Sequence, residues 1–262
     1  MPIKVVVNGA RGRMGREVLA AVCREPDLKL VGAVELAAAK TELELPDNSG
    51  SVPFSSDLAQ IIAGCQPDVV VDFTNRDVAL RTARLCLEKG VSVVIGTTGL
   101  TVEEISEIDR LARSRKVGAV VAPNFALGAV LMMHMAKLAA RYFDYAEIIE
   151  LHHQQKIDAP SGTALMTARL MSEARGKPFE RTGGDNAPKS RGDGIGGISL
   201  HSVRLPGLVA HQEVLLGGLG QTLSIRHDSI SRESFMPGVV LAIREVTKRT
   251  GLVYGLDTLL GL

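Results

Sequence analysis

The segment 147–164 carries the densest group of side chains that could do chemistry. His152 and His153 come at the end of a predicted strand, and Lys156 follows shortly after them. An imidazole can deliver or take a proton near neutral pH, and an ammonium group adds a positive point charge. Neighbouring residues on a strand face opposite ways, so we expect the two histidines to have different roles.

A predicted helix begins directly after Pro160. Ser161, Gly162 and Thr163 leave hydroxyls and N–H groups free at this helix start. Free N–H groups and the helix dipole together make an anion site, and a carboxylate fits it. Lys156 adds its charge beside this site, so we expect the segment to bind a carboxylate of the substrate.

The histidine pair could instead bind a metal, serve nucleophilic catalysis or be purely structural. No metal site is expected, because no cysteine, third histidine or H-x-x-x-H spacing completes a ligand set. Nucleophilic catalysis is not expected either, since no serine elbow is evident. A structural histidine beside a helix cap remains as an alternative. The histidines outside this segment are expected on helix or sheet faces: His134, His201, His211 and His227.

A strand, a glycine turn and a helix start follow one another over residues 5–15. Gly9, Gly12 and Gly15 give the spacing G-x-x-G-x-x-G, a variant of the dinucleotide fingerprint. Taken alone, such a turn could also serve packing. Glu35, at the end of the second predicted strand, stands where a carboxylate would accept from ribose hydroxyls. Together these features predict a dinucleotide whose pyrophosphate lies on the helix start.

Three more turns follow predicted strands, where open α/β sheets bind ligands. Residues 96–99 (Gly-Thr-Thr-Gly) and 122–125 (Ala-Pro-Asn-Phe) could position a nicotinamide carboxamide, and Asp72-Phe73-Thr74 ends another strand similarly. Each of them, considered singly, is also an ordinary turn.

The choice of dinucleotide depends on the charges around Glu35. Its carboxylate repels a 2′-phosphate, and Leu36 offers no cation, which favours NADH. Arg11 and Arg13 could approach a 2′-phosphate, although both could equally be solvated surface charges. We therefore expect NADH to be favoured and NADPH to be tolerated.

The elements that must position these residues alternate in the first half of the sequence. The strands are short runs of Val, Ile and Ala, as expected for parallel strands covered on both faces: 3–8, 28–34, 69–73, 91–95 and 119–122. The helices between them are 12–24, 57–65, 76–89 and 101–115, and Thr101 with Glu104 forms a capping box. The order predicts an α/β fold with a Rossmann-type doubly wound parallel sheet.

The pattern changes after about residue 124. A helix (128–143), a strand (145–153) and a helix (161–174) precede the loop 176–196, whose length is typical of a lid, a binding loop or a disordered linker. Three strands follow, 197–205, 208–216 and 219–228, with Pro206-Gly207 as a hairpin turn between the first two. We predict a second α+β domain with a four-stranded mixed or antiparallel open sheet.

The predicted domains are a dinucleotide-binding domain and a domain for substrate binding and oligomerisation. The first is 1–126, joined by the C-terminal segment 237–262, and the second is 127–236. Two helices cover only one face of a four-stranded sheet, so we expect the other face to pack on another copy of the chain. The helix at 237–250 is expected to return to the first domain.

Composition argues against several classes of function. The formal net charge is +1, aromatic residues make up 3% and Trp is absent, so neither a basic surface nor a stacking platform for nucleic acid is evident. Cys23, Cys65 and Cys86 are widely spaced and odd in number, which favours reduced, packed thiols.

No membrane partner is expected. The stretch 117–136 lacks charged residues, but Pro123-Asn124 interrupts it, so the pattern predicts a buried strand, a loop and a helix. We expect no signal peptide before the first predicted strand. We expect a soluble cytoplasmic protein, with a plastid location only if a transit peptide precedes this sequence.

Taken together, the motifs resemble those of the dihydrodipicolinate reductase family. They are GARGRMG at 9–15, DFT at 72–74, GTTG at 96–99, PNF at 123–125 and above all HHQQKIDAPSGTA at 152–164. The resemblance runs nearly end to end. It implies a Rossmann domain, a substrate domain that builds a homotetramer, and NAD(P)H-dependent reduction of 4-hydroxy-tetrahydrodipicolinate on the diaminopimelate route to lysine.

The resemblance also implies roles for individual residues. His152 would be the proton donor or acceptor and Lys156 the second proton donor. The substrate, a small dicarboxylate, would be bound by His153, Ser161, Gly162 and Thr163. The dinucleotide would be lined by Gly9, Ala10, Arg11, Gly12, Arg13, Met14, Glu35, Gly96, Thr97, Thr98, Ala122, Pro123, Asn124 and Phe125. Some family members carry an arginine where this chain has Leu36, so a preference for NADPH is not implied.

Two other functions are compatible with the same fold. One is a different NAD(P)-dependent dehydrogenase acting on amino acids, against which the 152–164 segment argues. The other is a non-catalytic dinucleotide sensor, which would keep the glycine turn but would not need His152 or Lys156.

Overall fold

The computed structural model describes residues 1–38, 41–183 and 188–262. The chain divides into two compact units. The first comprises Met1–Phe125 together with Phe235–Leu262, and the second comprises Ala126–Ser234. The sequence places its boundaries after residues 126 and 236, within two residues of these.

The first unit is built on a largely parallel sheet. Numbered in chain order, its strands are β1 (Ile3–Asn8), β2 (Leu28–Val34), β3 (Glu42–Glu44), β4 (Ser51–Ser55), β5 (Val69–Asp72), β6 (Ser92–Ile95), β7 (Gly118–Val121) and β13 (Gly251–Tyr254). Within the described residues the strand order is β13-β7-β6-β5-β1-β2-β4-β3. Among these described strands, only β3 runs antiparallel to its neighbour. The predicted doubly wound parallel sheet is confirmed.

Helices cover this sheet. They are α1 (Arg13–Arg24), α2 (Leu58–Cys65), α3 (Arg76–Glu88), α4 (Val102–Arg115), α7 (Met236–Val246) and α8 (Leu256–Leu260). The central strands β5, β6 and β7 are buried along their whole length, as a Val/Ile run covered on both faces requires. The predicted capping box of Thr101 and Glu104 is confirmed at the start of α4.

Three strands of this sheet are not predicted by the sequence. β3 is short and polar, and β4 has Pro53 between its two buried apolar residues, so both strands lack the Val/Ile run by which the inner strands are identified. β13 has only four residues, and its pairing partner β7 lies about 130 residues earlier. Only tertiary pairing distinguishes such segments from loops.

The second unit has a mixed sheet with two helices packed on it. The elements are α5 (Leu127–Ala139), β8 (Tyr145–His152), α6 (Gly162–Arg175), β9 (Asp193–Ile195), β10 (Ile198–Arg204), β11 (Ala210–Gly218) and β12 (Gln221–Ser229). The described strands lie in the order β12-β11-β8-β10-β9. Ala146 and Ile148 of β8 enter a core with residues of α5 and α6, such as Ala136 and Ala168.

Two details of this sheet correct the prediction. The hairpin at Pro206-Gly207 is wrong, because β10 and β11 lie on opposite sides of β8 rather than side by side. Turn residues specify a local reversal of the chain, not which strand becomes the neighbour. The sheet also has a fifth strand, β9, which is short, contains a glycine and pairs with β10 from within the predicted loop 176–196. Residues 184–187 of that loop lie outside the described part.

The uncharged stretch 117–136 forms β7, a loop and most of α5, as predicted. In the described part of the chain, no helix is both long and apolar enough to cross a membrane. Cys23, Cys65 and Cys86 are free thiols, and Cys86 is buried in the core of the first unit.

Candidate active site

The glycine turn joins β1 to α1 in a compact loop. Gly9 has φ +82°, and Gly12 donates its N–H to the carbonyl of Gly9 at 3.0 Å. A Cβ on Gly15 would lie 2.0 Å from that same carbonyl oxygen, so α1 packs directly against the turn. Gly12 provides no side-chain cap, and the first N–H groups of α1 are therefore offered to a ligand.

Glu35 follows β2 and is tied to this turn. Its carboxylate accepts from the backbone N–H of Arg11 at 3.0 Å and from that of Leu36 at 3.1 Å. It lines a cavity of about 290 Å³ together with Gly9, Gly12, Thr74 and Arg81. Its apolar walls include Val34, Leu58 and Leu85. A carboxylate, a glycine turn and apolar walls in one cavity suit an adenosine group.

The two arginines of the turn lie in different surroundings. The guanidinium of Arg11 stacks 4.9 Å above the ring of Phe54 on β4. Arg13 lines a second cavity, of about 480 Å³, with Met14, Thr97 and Thr98. Ala10 is buried, and its N–H donates to the carbonyl of Val34 at 3.0 Å.

A buried carboxylate joins three of the strand ends. Asp72 accepts from the side-chain amide of Asn8 at 2.8 Å and from the hydroxyls of Thr74 at 2.7 Å and Thr97 at 3.1 Å. The amide of Asn8 also contacts the Thr82 hydroxyl at 2.9 Å. The ends of β1, β5 and β6 are thereby held together, and the hydroxyl of Thr97 is turned inward to this network.

The turns after β5 and β7 meet at an aromatic pair, and Gly96, after β6, lies against one of its rings. The rings of Phe73 and Phe125 lie 5.8 Å apart, and a Cβ on Gly96 would fall 2.0 Å from the Phe73 ring. Ala122 and Phe125 are buried. Pro123 and Asn124 lie between them, next to the end of β7.

The second unit holds His152 at the end of β8. Its Nδ1 is hydrogen-bonded to the carboxylate of Glu150, which is fully buried. Arg204, at the end of β10, forms a two-pronged ion pair with that carboxylate at 2.8 and 2.9 Å. Burial alone would raise the pKa of Glu150, but hydrogen bonds from His152, Arg204 and Ser202 outweigh it and lower that pKa to about 2. The carboxylate is therefore ionised at neutral pH.

The start of α6 differs in one respect from the prediction. Ser161 is buried, its hydroxyl accepts from the Ala164 N–H at 3.2 Å, and its own N–H donates to Glu150 at 3.2 Å. The expectation that the Ser161 hydroxyl and N–H are free is wrong, because the serine is the N-cap of α6. Gly162 is exposed and Thr163 partly buried, so these two carry the accessible groups of the helix start.

Lys156 lies in the loop between β8 and α6. Its backbone N–H donates to the carbonyl of His153 at 3.1 Å, closing a turn. Its ammonium contacts both carboxylate oxygens of Asp158 at 2.7 Å, and this pairing lowers the pKa of Asp158. His153 is partly buried.

Two family models match the two halves of the chain. The model described as dihydrodipicolinate reductase, N-terminus, matches residues 3–125, and the one described as dihydrodipicolinate reductase, C-terminus, matches residues 128–260. The chain belongs to the dihydrodipicolinate reductase family.

Similar dihydrodipicolinate reductases cover almost the whole chain. A 4-hydroxy-tetrahydrodipicolinate reductase of Dehalococcoides mccartyi is 53% identical over 100% of this chain and 99% of its own length. One of Moorella thermoacetica is 52% identical, with 98% of each covered. The dipicolinate-bound dihydrodipicolinate reductase of Paenisporosarcina sp. TG-14 superposes with a TM-score of 0.87 at 44% identity, covering 98% of this chain and 99% of that one. Membership of this reductase family makes the chain an oxidoreductase and supports a pyridine nucleotide cofactor.

Four residues that contact candidate site residues are not identified from the sequence as part of a site. Glu150 contacts His152, and Arg204 contacts the loop that carries Lys156. Asp158 contacts Lys156 itself. The sequence places Asp72 only at a strand end. An acidic residue two positions before His152, on the same face of a strand, is the one available signal, and it indicates Glu150.

The remaining histidines lie on strands or a helix of the second unit, as predicted. His201 contacts Glu147 at 2.8 Å and His211 contacts Asp228 at 2.6 Å. Burial lowers the pKa of His227, whose ring lies against Gly128. His134 lies in α5. Among residues 1–38, 41–183 and 188–262, no group of three or more His, Cys, Asp or Glu side chains could hold a metal ion.

Proposed function

We propose that this protein reduces 4-hydroxy-tetrahydrodipicolinate to tetrahydrodipicolinate with NADH or NADPH, on the diaminopimelate route to lysine. The observation that carries the proposal is the hydrogen-bond network that joins His152, the Lys156 loop and the start of α6 through the ion pair of Glu150 and Arg204. The reductases that resemble this chain over its full length carry that substrate in their names.

The substrate's carboxylates are bound by the segment between β8 and α6. The N–H groups of Gly162 and Thr163 provide the anion site at the helix start, and His153 and Lys156 add polar and charged contacts. Ser161 shapes this site as the helix cap. The related enzyme from Paenisporosarcina binds dipicolinate, an aromatic ring with two carboxylates, which supports a ligand of this chemistry.

The reaction adds one hydride and one proton to a conjugated ring imine, which forms when the 4-hydroxy group leaves as water. A bound nicotinamide supplies the hydride. His152 delivers that one proton to the carbon next to the one that takes the hydride, and Lys156, the second proton donor, replaces the proton that His152 has given up. For Lys156 to act on substrate, its contact with Asp158 must open.

The dinucleotide is held by the first unit. The positive φ of Gly9 and the uncapped start of α1 fit a pyrophosphate, and the cavity beside Glu35 fits the adenosine. Gly96, Thr97 and Thr98 and the turn 122–125 contact the nicotinamide half. NADH is favoured over NADPH, because the Glu35 carboxylate repels a 2′-phosphate and the exposed Leu36 beside it carries no charge.

The protein acts as a homo-oligomer, a tetramer built through the second unit. The face of its sheet opposite α5 and α6 carries the partly buried Ile149, Leu151, Val203 and Leu215. A second copy of the chain would cover these side chains. We place the enzyme in the cytoplasm, where the pathway's substrates and reduced dinucleotides occur.

The proposal is tested by a coupled assay in which the preceding synthase generates the substrate in situ. Wild type is expected to oxidise NADH or NADPH, as measured by loss of absorbance at the nicotinamide wavelength. His152→Ala and Lys156→Ala are each expected to lower kcat by about 10²- to 10⁴-fold, since each removes a proton donor. Glu180→Gln, which changes a carboxylate paired with Tyr145, is a control expected to retain full activity.

The possible outcomes separate the candidate functions. No turnover by wild type, with a dinucleotide bound, would leave a non-catalytic sensor. Oxidation of an amino acid instead would indicate a different dehydrogenase. Full activity of both variants would overturn the assigned roles of His152 and Lys156.

A further inference from the structure

We propose that Glu150 and Arg204 are positioning residues that set the tautomer of His152 and hold the Lys156 loop and the start of α6 in place. This inference rests on the proposed function for its catalytic consequence, but its structural part can be measured without substrate.

Glu150 and Arg204 form an ion pair of fixed geometry. Nη1 of Arg204 contacts Oε2 of Glu150 at 2.9 Å, and Nη2 contacts Oε1 at 2.8 Å. Two parallel contacts of this kind fix the planes of both groups. The parallel register that pairs Arg204 with His152 and Ser202 with Glu150 brings the arginine there from 54 residues away.

The carboxylate of Glu150 determines which nitrogen of His152 carries the hydrogen. An ionised carboxylate can only accept, so Nδ1 must donate to it in the neutral ring as well as in the charged ring. Nε2 is then left as the only ring nitrogen that can exchange a proton with a substrate. The neighbouring Ala210 on β11, paired in register with His152, offers no competing side-chain group.

Arg204 also connects this ion pair to the loop that carries Lys156. Its Nε donates to the carbonyl of Lys156 at 3.2 Å, and its Nη2 donates to the carbonyl of Asp158 at 2.6 Å. Oε1 of Glu150 also accepts from the N–H of Ser161, the first residue at the α6 start. One ion pair thus supports the proton-transfer group, the ammonium group and the anion site.

A gain in stability alone does not explain why Glu150 and Arg204 form this ion pair. Removing two charges from water is costly, and buried ion pairs are often no more stable than neutral side chains of the same shape. Its contacts with His152, the Lys156 loop and the start of α6, which are groups assigned to substrate chemistry, favour orientation as its role.

Glu150→Gln provides the central test, because it keeps the shape and replaces one oxygen by an NH₂ group. The amide oxygen is best placed at the Oε1 position, where it still accepts from Nη2 of Arg204 and from the N–H of Ser161. The contact from Nη1 of Arg204, which ends at the Oε2 position, is lost. The NH₂ group then faces Nδ1 of His152, which must become an acceptor, and the ring hydrogen moves to Nε2. We expect nitrogen-15 NMR of the ligand-free protein at pH about 8 to show Nδ1 protonated in wild type and Nε2 protonated in the variant.

The same variant has a kinetic signature. We expect kcat to fall about 10²-fold, because the amide NH₂ group faces Nδ1 and no longer stabilises the charged ring from which Nε2 delivers its proton. KM should change less than about threefold and the Kd for NADH should not change. A merely structural defect would move all three values together with the melting temperature.

Two further variants keep the test decisive if Glu150→Gln does not fold. Glu150→Asp retains an acceptor-only group, so the tautomer of His152 should remain that of wild type. Its kcat should lie between those of wild type and Glu150→Gln. Arg204→Lys retains the charge but cannot bridge to the two carbonyls. We expect it to keep the tautomer and to raise KM about tenfold, since the loop and the helix start lose their support.

Glu147→Gln is the matched control. It makes the same change on the same strand, but Glu147 contacts His201 rather than His152. It should alter the His201 signals, leave those of His152 unchanged and leave kcat within twofold of wild type at an unchanged oligomeric state. The inference is overturned if His152 keeps the same tautomer in Glu150→Gln, or if that variant and Glu147→Gln are equally active. If wild type does not reduce the substrate but the tautomer still reverses, the proposed function fails while the positioning of His152 stands.

Discussion

Leu36 lies beside the carboxylate of Glu35, to which we assign the choice of dinucleotide. Its side chain is 77% exposed at the edge of the cavity that Glu35 lines, so a longer, charged side chain would be accommodated there without disturbing the core. A cation at this position would contact a 2′-phosphate and offset its repulsion by Glu35.

We expect Leu36→Arg to raise the ratio of kcat/KM for NADPH to that for NADH about tenfold, which corresponds to about 1.4 kcal/mol. Steady-state kinetics with both dinucleotides measure the ratio. Ala37→Arg adds the same charge one residue later and should change the ratio much less. A wild type that strongly prefers NADPH would contradict the role given to Glu35 and Leu36.

For individual residues, the sequence identifies candidate site residues that are close together along the chain. It misses those that only folding brings together. His152, Lys156 and the helix start are identified because side-chain type and spacing within one segment suffice. Arg204 could not be identified, since it reaches Glu150 only through the register of β8 and β10. Asp72 and Asn8, 64 residues apart, are a second example of the same limit.

The packing of α1 on the glycine turn makes a prediction for that element. A Cβ on Gly15 would meet the Gly9 carbonyl at 2.0 Å, so Gly15→Ala should push the helix away from the turn. We expect a weaker Kd for NADH, by at least about tenfold, and a lower melting temperature. Isothermal titration and thermal unfolding measure these effects.

Gly64→Ala is the control for this change. Gly64 lies in α2, and a Cβ there would meet nothing within 4 Å. The substitution should raise the free energy of unfolding by about 0.5–1 kcal/mol, as alanine does in an open helix position, and leave NADH binding unchanged. Equal NADH affinity of Gly15→Ala and wild type would show that α1 does not need to touch the turn.

The inner strands of the sheets could be predicted from the sequence, and the peripheral strands could not. Strands such as β1 and β5 are buried on both faces, and their Val-rich composition follows from that burial. β3, β4, β9 and β13 are short and end or extend a sheet, so pairing rather than composition defines them. The neighbours of β10 were predicted wrongly for a related reason, since strand order is a property of the whole sheet.

For the whole molecule, the open face of the second sheet predicts the oligomeric state. Ile149 alternates with the core residue Ile148, and its neighbours across the strands are His201 and Glu213. In any interface that covers this face, a carboxylate at position 149 would be buried beside Glu213 and beside a His201 that already pairs with Glu147.

We expect wild type to be a tetramer in light scattering and Ile149→Asp to dissociate into smaller species. Val102→Asp introduces the same charge at an apolar residue that is 74% exposed on the first unit, and it should leave the mass unchanged. A monomeric wild type would contradict the proposed tetramer. A tetrameric Ile149→Asp would show that another surface joins the subunits.

The pairing of β13 with β7 has a consequence for how the chain is made. The first unit is interrupted by roughly 110 residues of the second, and its last strand belongs to the C-terminal segment. At ordinary rates of synthesis, the ribosome needs on the order of 5–20 s to add that interruption. During this time β7 has an unpaired edge, and the carbonyl of Phe125 lacks the close contact that Gly238 will make with it. The unit that begins first is therefore completed last, after the inserted unit has left the ribosome.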